Sequence, residues 1–116
     1  MRILVVDDEP AIRKIARRIL EFAGHHVLEA RSGAEALGLI SDDTALDLLV
    51  TDVRMPGMTG DQLAHVMRSA RPNLKVIYMT ASVGTLRESH PALTQGERLV
   101  EKPFTAKALL DAVSLV

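Results

Sequence analysis

Five side chains in this sequence could do chemistry together: Asp7, Asp8, Asp52, Thr80 and Lys102. Three carboxylates brought to one place repel one another and need a counter-charge. A hard divalent cation supplies it, and Mg2+ suits a site with few carboxylates, bound waters and phosphate oxygens. Lysine adds a mobile point charge, and threonine adds a hydroxyl donor. Together these groups could serve in-line phosphoryl transfer, where catalysis is mostly positioning and charge neutralisation and an aspartate can be the covalent acceptor. Each residue alone has a duller reading. The acid pair could cap a helix or sit in solvent, and Asp52 could open the turn at Met55-Pro56-Gly57. Thr80 could be an ordinary strand end, and Lys102 an ordinary surface lysine.

The chemistry therefore depends on the elements that carry these residues. Five short runs rich in Val, Ile and Leu occupy residues 3–6, 27–30, 46–50, 76–79 and 99–100. The first, third and fourth are nearly continuous, the pattern of strands buried on both faces of a parallel sheet. Helical spacing falls between them. Over residues 10–23, Ile12, Ile15, Ala16, Ile19, Leu20 and Ala23 form one stripe, with Pro10 in the first turn and Gly24 past the end. Arg13, Lys14, Arg17 and Arg18 point elsewhere, as a solvated basic face would. Ser32 with Glu35, and Thr59 with Gln62, read as capping boxes for two further helices, and Thr105 as the cap of the last. The connection from Val83 to Gly96 holds Gly84 and Pro91, so only a short or irregular helix is expected there. Alternating strands and helices imply right-handed crossovers and a doubly wound α/β fold. In such a fold ligands bind at the carboxyl ends of the strands, where all five residues fall.

Composition narrows the classes. A chain of 116 residues suits one domain, residues 1–116, with a core that needs no staples. There is no cysteine, which excludes a disulfide framework or a thiolate metal site. With 14 basic against 15 acidic residues, nothing suggests direct nucleic-acid binding. No stretch has the roughly 18 apolar residues of a membrane span, so no membrane insertion and a cytoplasmic location are expected. His25, His26, His65 and His90 make no metal-ligand pattern.

The segments ILVVDDEP, DLLVTDVRMPGMTG, VIYMTA and VEKPF resemble the receiver domains of two-component response regulators, and the resemblance covers essentially the whole chain. It implies a flavodoxin-like five-stranded parallel sheet of order 2-1-3-4-5 with five helices. It makes Asp52 the phosphoryl acceptor, with Asp8 and Asp52 as direct Mg2+ ligands, Asp7 assisting through water, and the Arg54 backbone carbonyl completing the protein ligands. Thr80 and Lys102 would bond the phosphoryl group. Ala81 would leave the acceptor accessible, and Arg54 and Ser82 would tune phosphoryl lifetime. The partner implied is a histidine kinase or a histidine phosphotransfer protein, docked near Ile12 and Ile15, one of which is expected to stay partly exposed. Phosphorylation-dependent dimerisation is a further expectation. So read, the chain is a signalling switch that catalyses only its own phosphorylation and dephosphorylation.

The sequence departs from the family at two places. Leu99 stands where an aromatic rotamer switch is usual, and Pro91 disturbs the usual fourth helix. Switching is therefore expected to depend on Thr80 and the loop after it. Alternative readings are a phosphate sink or relay, as in the receiver of a hybrid histidine kinase, and a pseudo-receiver binding module. The intact Asp, Asp, Asp, Thr, Lys set argues against the pseudo-receiver. A Mg2+-dependent phosphohydrolase would commonly carry an acid/base carboxylate two residues after its nucleophile, where this chain has Arg54.

Overall fold

Apolar runs without polar alternation must be covered on both faces, and this decides the architecture. The structure is a computed structural model that describes residues 1–41, 44–81 and 96–116. Strands β1 (Arg2–Val6), β2 (His26–Ala30), β3 (Leu48–Asp52), β4 (Lys75–Thr80) and β5 (Glu97–Glu101) form one parallel sheet of order β2-β1-β3-β4-β5. The described residues form four helices: α1 (Pro10–Phe22), α2 (Gly33–Leu39), α3 (Gly60–Ala70) and α4 (Ala106–Leu115). The irregular helix expected before β5, with Gly84, Pro91 and His90, lies outside the described residues, as does Ser82.

Strand parity sorts the core into two layers. Ile3, Val5, Leu48, Val50, Ile77 and Met79 pack with Ala16 and Leu20 of α1 and with Leu109, Ala112 and Val113 of α4. Leu4, Val6, Leu49, Val76 and Tyr78 pack with Ala36 of α2 and with Leu63, Ala64 and Met67 of α3. The sheet is thus doubly covered, as the unbroken apolar runs require.

Local chemistry sets the helix ends. Pro10 opens α1, and Gly24 follows it at φ 95, a conformation open to glycine without cost. The Thr59 and Gln62 box forms in both directions. The Ser32 box forms only in part. The Ser32 hydroxyl accepts from the Glu35 amide, but the Glu35 carboxylate turns to the Arg31 amide and guanidinium instead. Both bounds of β3 also move. β3 starts at Leu48, because Leu46 precedes a residue, Asp47, that exchanges hydrogen bonds with the Arg2 backbone. It runs on through Asp52, so that residue is the last of its strand.

Gly60 is the tightest point. A Cβ built there would lie 2.0 Å from the Asp52 carbonyl oxygen and 3.1 Å from the Thr51 hydroxyl. The Gly60 amide donates to the Val53 carbonyl at 2.8 Å, which seats α3 directly on the end of β3. Gly60→Ala is expected to push α3 off β3 and cost about 1–3 kcal/mol, as overpacking does. Urea unfolding checks the cost, and shifted Asp52 and Val53 amide resonances check its place.

Between β4 and β5, Tyr78 donates to Glu97 Oε2 at 3.0 Å, and the Arg68 guanidinium of α3 lies 3.4 Å from the same oxygen. Burial, and then Glu97, hold the Tyr78 phenol well above its ordinary range. The folded protein keeps this proton while the unfolded chain loses it near pH ~10. Tyr78 therefore contributes stability that is intact below that pH and is lost as pH rises beyond it. Because Tyr78 is the only tyrosine, tyrosinate absorbance is expected to appear together with unfolding and not before it.

Candidate functional site

The carboxyl ends of β1, β3, β4 and β5 meet at one edge of the sheet. Asp7 and Asp8 follow β1, Asp52 and Thr80 end β3 and β4, and Lys102 follows β5. The register pairs Asp52 with Met79 and Thr80 with Glu101. Lys102 N donates to the Thr80 carbonyl at 2.8 Å, which carries the β4–β5 ladder one step past the strand and delivers the lysine to the site.

Three carboxylates converge there. Asp7, Asp8 and Asp52 each offer an oxygen, all within 4.8 Å of one another. Asp7 and Asp52 are buried and Asp8 is exposed. The Lys102 ammonium lies 2.9 Å from Asp7 Oδ2 and 3.3 Å from Asp52 Oδ1. Asp7 Oδ1 accepts from the Glu9 amide at 2.9 Å. Burial and the neighbouring Asp7 push the Asp52 carboxyl above its usual range, and Lys102 pulls it back. Burial alone would lower the Lys102 ammonium, but Asp7 and Asp52 outweigh it and hold it above its ordinary value.

The donor set fits a hard divalent cation. It is all oxygen, and it concentrates negative charge that one lysine does not cancel. Asp7 Oδ2 is buried without a well-formed hydrogen bond, its ammonium neighbour apart, and so keeps lone pairs free for a ligand or its water. The Arg54 carbonyl, in the turn after β3, accepts no backbone hydrogen bond among the described residues.

Other residues singled out from the sequence are placed as follows. Thr80 is buried, and Ala81 and the Arg54 side chain are exposed beside the site. Leu99 packs partly buried against the α3-side core, opposite Tyr78 in the ladder. On α1, Ile12 packs into the core and Ile15 is 48% exposed. The basic face of α1 departs from expectation, because Arg13 and Arg17 fold back onto Glu29 of β2. Sequence reasoning also missed the Gly60 contact with Asp52. The Thr59-Gly60 step at the start of a helix was the available signal.

Comparison with known proteins agrees with this geometry. A family model described as the response regulator receiver domain matches residues 3–114. The response regulator MprA of Mycobacterium avium is 40% identical over 111 residues, 95% of this chain and 48% of that protein. The response regulator protein FleR of Pseudomonas aeruginosa is 37% identical over 114 residues, 97% of this chain and 24% of that protein. The chain thus spans about half the length of these curated relatives, or less. Among solved structures, a response regulator receiver protein from Sinorhizobium medicae is 32% identical with a TM-score of 0.87, covering 98% of this chain and 91% of that one. The receiver domain of the hybrid histidine kinase CckA is 33% identical with a TM-score of 0.82, covering 98% and 96%. With the sheet order, the acidic cluster and a match over nearly its full length, the chain belongs to the response regulator receiver domains of two-component systems, a family whose general function is to take a phosphoryl group onto an aspartate.

Proposed function

We propose that this chain, residues 1–116, is a cytoplasmic phosphorylation-controlled receiver that accepts a phosphoryl group on Asp52 from a phosphohistidine donor. The observation that carries the reading is the Lys102 ammonium shared between Asp7 and Asp52 within a cluster of three carboxylates. An Asp52 carboxylate oxygen attacks phosphorus in line. The bond from phosphorus to the donor's imidazole nitrogen breaks, that nitrogen keeps the electron pair, and an aspartyl phosphate results. Lys102 leaves the Asp52 oxygen to pair with a phosphoryl oxygen, and the Thr80 hydroxyl donates to another. Asp8, Asp52 and the Arg54 carbonyl would hold Mg2+, with Asp7 assisting. The ion supplies charge neutralisation for the phosphoryl oxygens. In release, water attacks phosphorus, the bond from phosphorus to the Asp52 oxygen breaks, and the carboxylate and inorganic phosphate are returned; Arg54 and Ser82 would tune that rate.

The donor is a histidine kinase or a histidine phosphotransfer protein, docked at the first turns of α1, where Ile15 supplies the exposed apolar contact. Ile12 is partly buried against the core, so Ile15 offers the larger exposed apolar contact beside it. A relay role, passing the group on to a second histidine, uses the same pocket and is favoured by the likeness to the CckA receiver.

Intact mass after incubation with acetyl phosphate tests the chemistry. One phosphoryl group is expected with Mg2+ and none without it. Asp52→Asn is expected to abolish the gain, and Lys102→Ala to slow it about 100-fold, as loss of one charge-stabilising donor does. No gain in the wild type, with no response to beryllofluoride, would make the chain a pseudo-receiver. Ile15→Asp is expected to slow transfer from a phosphorylated histidine kinase about tenfold more than transfer from acetyl phosphate, the worth of one buried interface contact. Equal slowing of both would remove Ile15 from the docking surface.

A further inference from the structure

α1 carries a row of cations, but two of them turn back onto the sheet, Arg13 largely buried and Arg17 half-exposed. Arg13 Nε donates to Glu29 Oε1 at 3.0 Å, and Arg13 Nη1 donates to the backbone carbonyl of Asp7 at 2.8 Å. Arg17 Nη1 donates to the other Glu29 oxygen at 2.6 Å. The Arg13 and Glu29 side chains are only 15% and 17% exposed. Arg17 foremost, with Arg13, holds the Glu29 carboxyl below its usual range against the opposing effect of burial. Glu29 is thus a charged anchor on edge strand β2, and Arg13 spans from it to the acidic loop.

The carbonyl that Arg13 grips belongs to the peptide joining Asp7 to Asp8. That peptide is planar, so fixing its oxygen fixes the direction in which the chain enters Asp8. The loop is otherwise held on its Asp7 side. The Asp7 amide donates to the Ala30 carbonyl at 3.2 Å, and Asp7 Oδ1 accepts from Glu9 at 2.9 Å. No hydrogen bond restrains the exposed Asp8 carboxylate among the described residues, so its aim depends on the backbone beneath it.

We infer that Arg13, anchored by Glu29, is a positioning residue for the cation site: its hydrogen bond to the Asp7 carbonyl sets the Asp7–Asp8 peptide and so aims Asp8 at the position it shares with Asp52. This rests on the Mg2+ reading above. Charge and geometry predict opposite signs here. Arg13 is a cation beside three carboxylates, so by charge alone its removal strengthens Mg2+ binding. As a positioning group, its removal weakens binding, because the ligand loop must be ordered when the metal arrives. Lysine keeps the charge but lacks the planar fork that reaches two acceptors at once.

The test is a Mg2+ titration of the whole chain without any phosphodonor, followed through the amide resonances of Asp8 and Asp52 under conditions where each variant is folded. Arg13→Ala and Arg13→Lys are each expected to bind Mg2+ about tenfold more weakly than wild type, the usual scale for loss of an outer support. A purely structural role would lower the urea midpoint and leave the affinity of the folded protein unchanged, and that result overturns the inference. Tighter binding by Arg13→Ala overturns it as well. If both Arg13 variants fail to fold, Glu29→Gln, which keeps Arg13 and loosens its anchor, carries the test with the same expected direction, and an unchanged affinity overturns the proposal. Failure of the wild type to bind Mg2+ would instead strike the proposed function.

Discussion

The mutual repulsion of Asp7, Asp8 and Asp52 is the constraint on which the rest of the structure depends. Two of these carboxylates are buried, and taking such charges out of water costs several kcal/mol apiece unless they are paired. Lys102 supplies the pairing, but it is carried by the edge strand farthest from β2. Its ammonium reaches Asp7 and Asp52 only because β3 and β4 hold β5 in register beside them. The sheet order is therefore part of the charge balance. Any arrangement that separated β1, β3 and β5 further would leave buried carboxylates unpaired. One lysine against three acids also leaves the site short of positive charge, a shortfall that a divalent cation would offset.

The site needs rigid floors as well as charge balance. Asp52 ends a strand whose five residues are all buried, and α3 is seated on its carbonyl through Gly60. Position at Asp52 is thus set by a backbone-to-backbone contact that tolerates no side chain. The Asp7 side is set differently, by hydrogen bonds from the Glu9 amide and the Arg13 guanidinium. A packed Asp52 beside a hydrogen-bonded acidic loop would suit the proposed reaction, in which one group must hold still for in-line attack and another must meet an arriving ion.

Much of this was legible in the sequence because it is local or periodic. Continuous apolar runs gave a parallel sheet, and Pro10, Gly24, Thr59 with Gln62, and Thr105 marked helix ends that the structure reproduces. Asp7, Asp8, Asp52, Thr80 and Lys102 were placed by their positions at strand ends together with the family resemblance. What escaped was long-range pairing by long side chains. The row of basic residues on α1 looks solvated in one dimension, and nothing at Arg13 announces a partner on β2 sixteen residues away. The half-formed Ser32 box failed for a local reason instead, since Arg31, four residues before Glu35, offered it a partner in place of the Ser32 amide.

The two edges of the sheet share one device. β2 carries Glu29 inward toward α1, where Arg13 and Arg17 hold it, and β5 carries Glu97 inward toward α3, where Arg68 and Tyr78 hold it. An inward-pointing charge on an edge strand is a known guard against pairing with a further strand, because adding one would bury the charge unpaired. Here each guard has a second consequence. The apolar pattern of β5 is weak, with Val100 its one fully buried hydrophobic residue, and a weak pattern specifies register poorly. A carboxylate gripped by a phenol on β4 and a guanidinium on α3 restores that specification, and with it the place of Lys102. On β2 the same kind of grip extends through Arg13 to the Asp7 carbonyl. The interactions that guard both edges of the sheet thus lie beside the chain leading into Lys102 and, through Arg13 of α1, against the Asp7 carbonyl, so closing the sheet and shaping the acidic crevice draw on the same side chains.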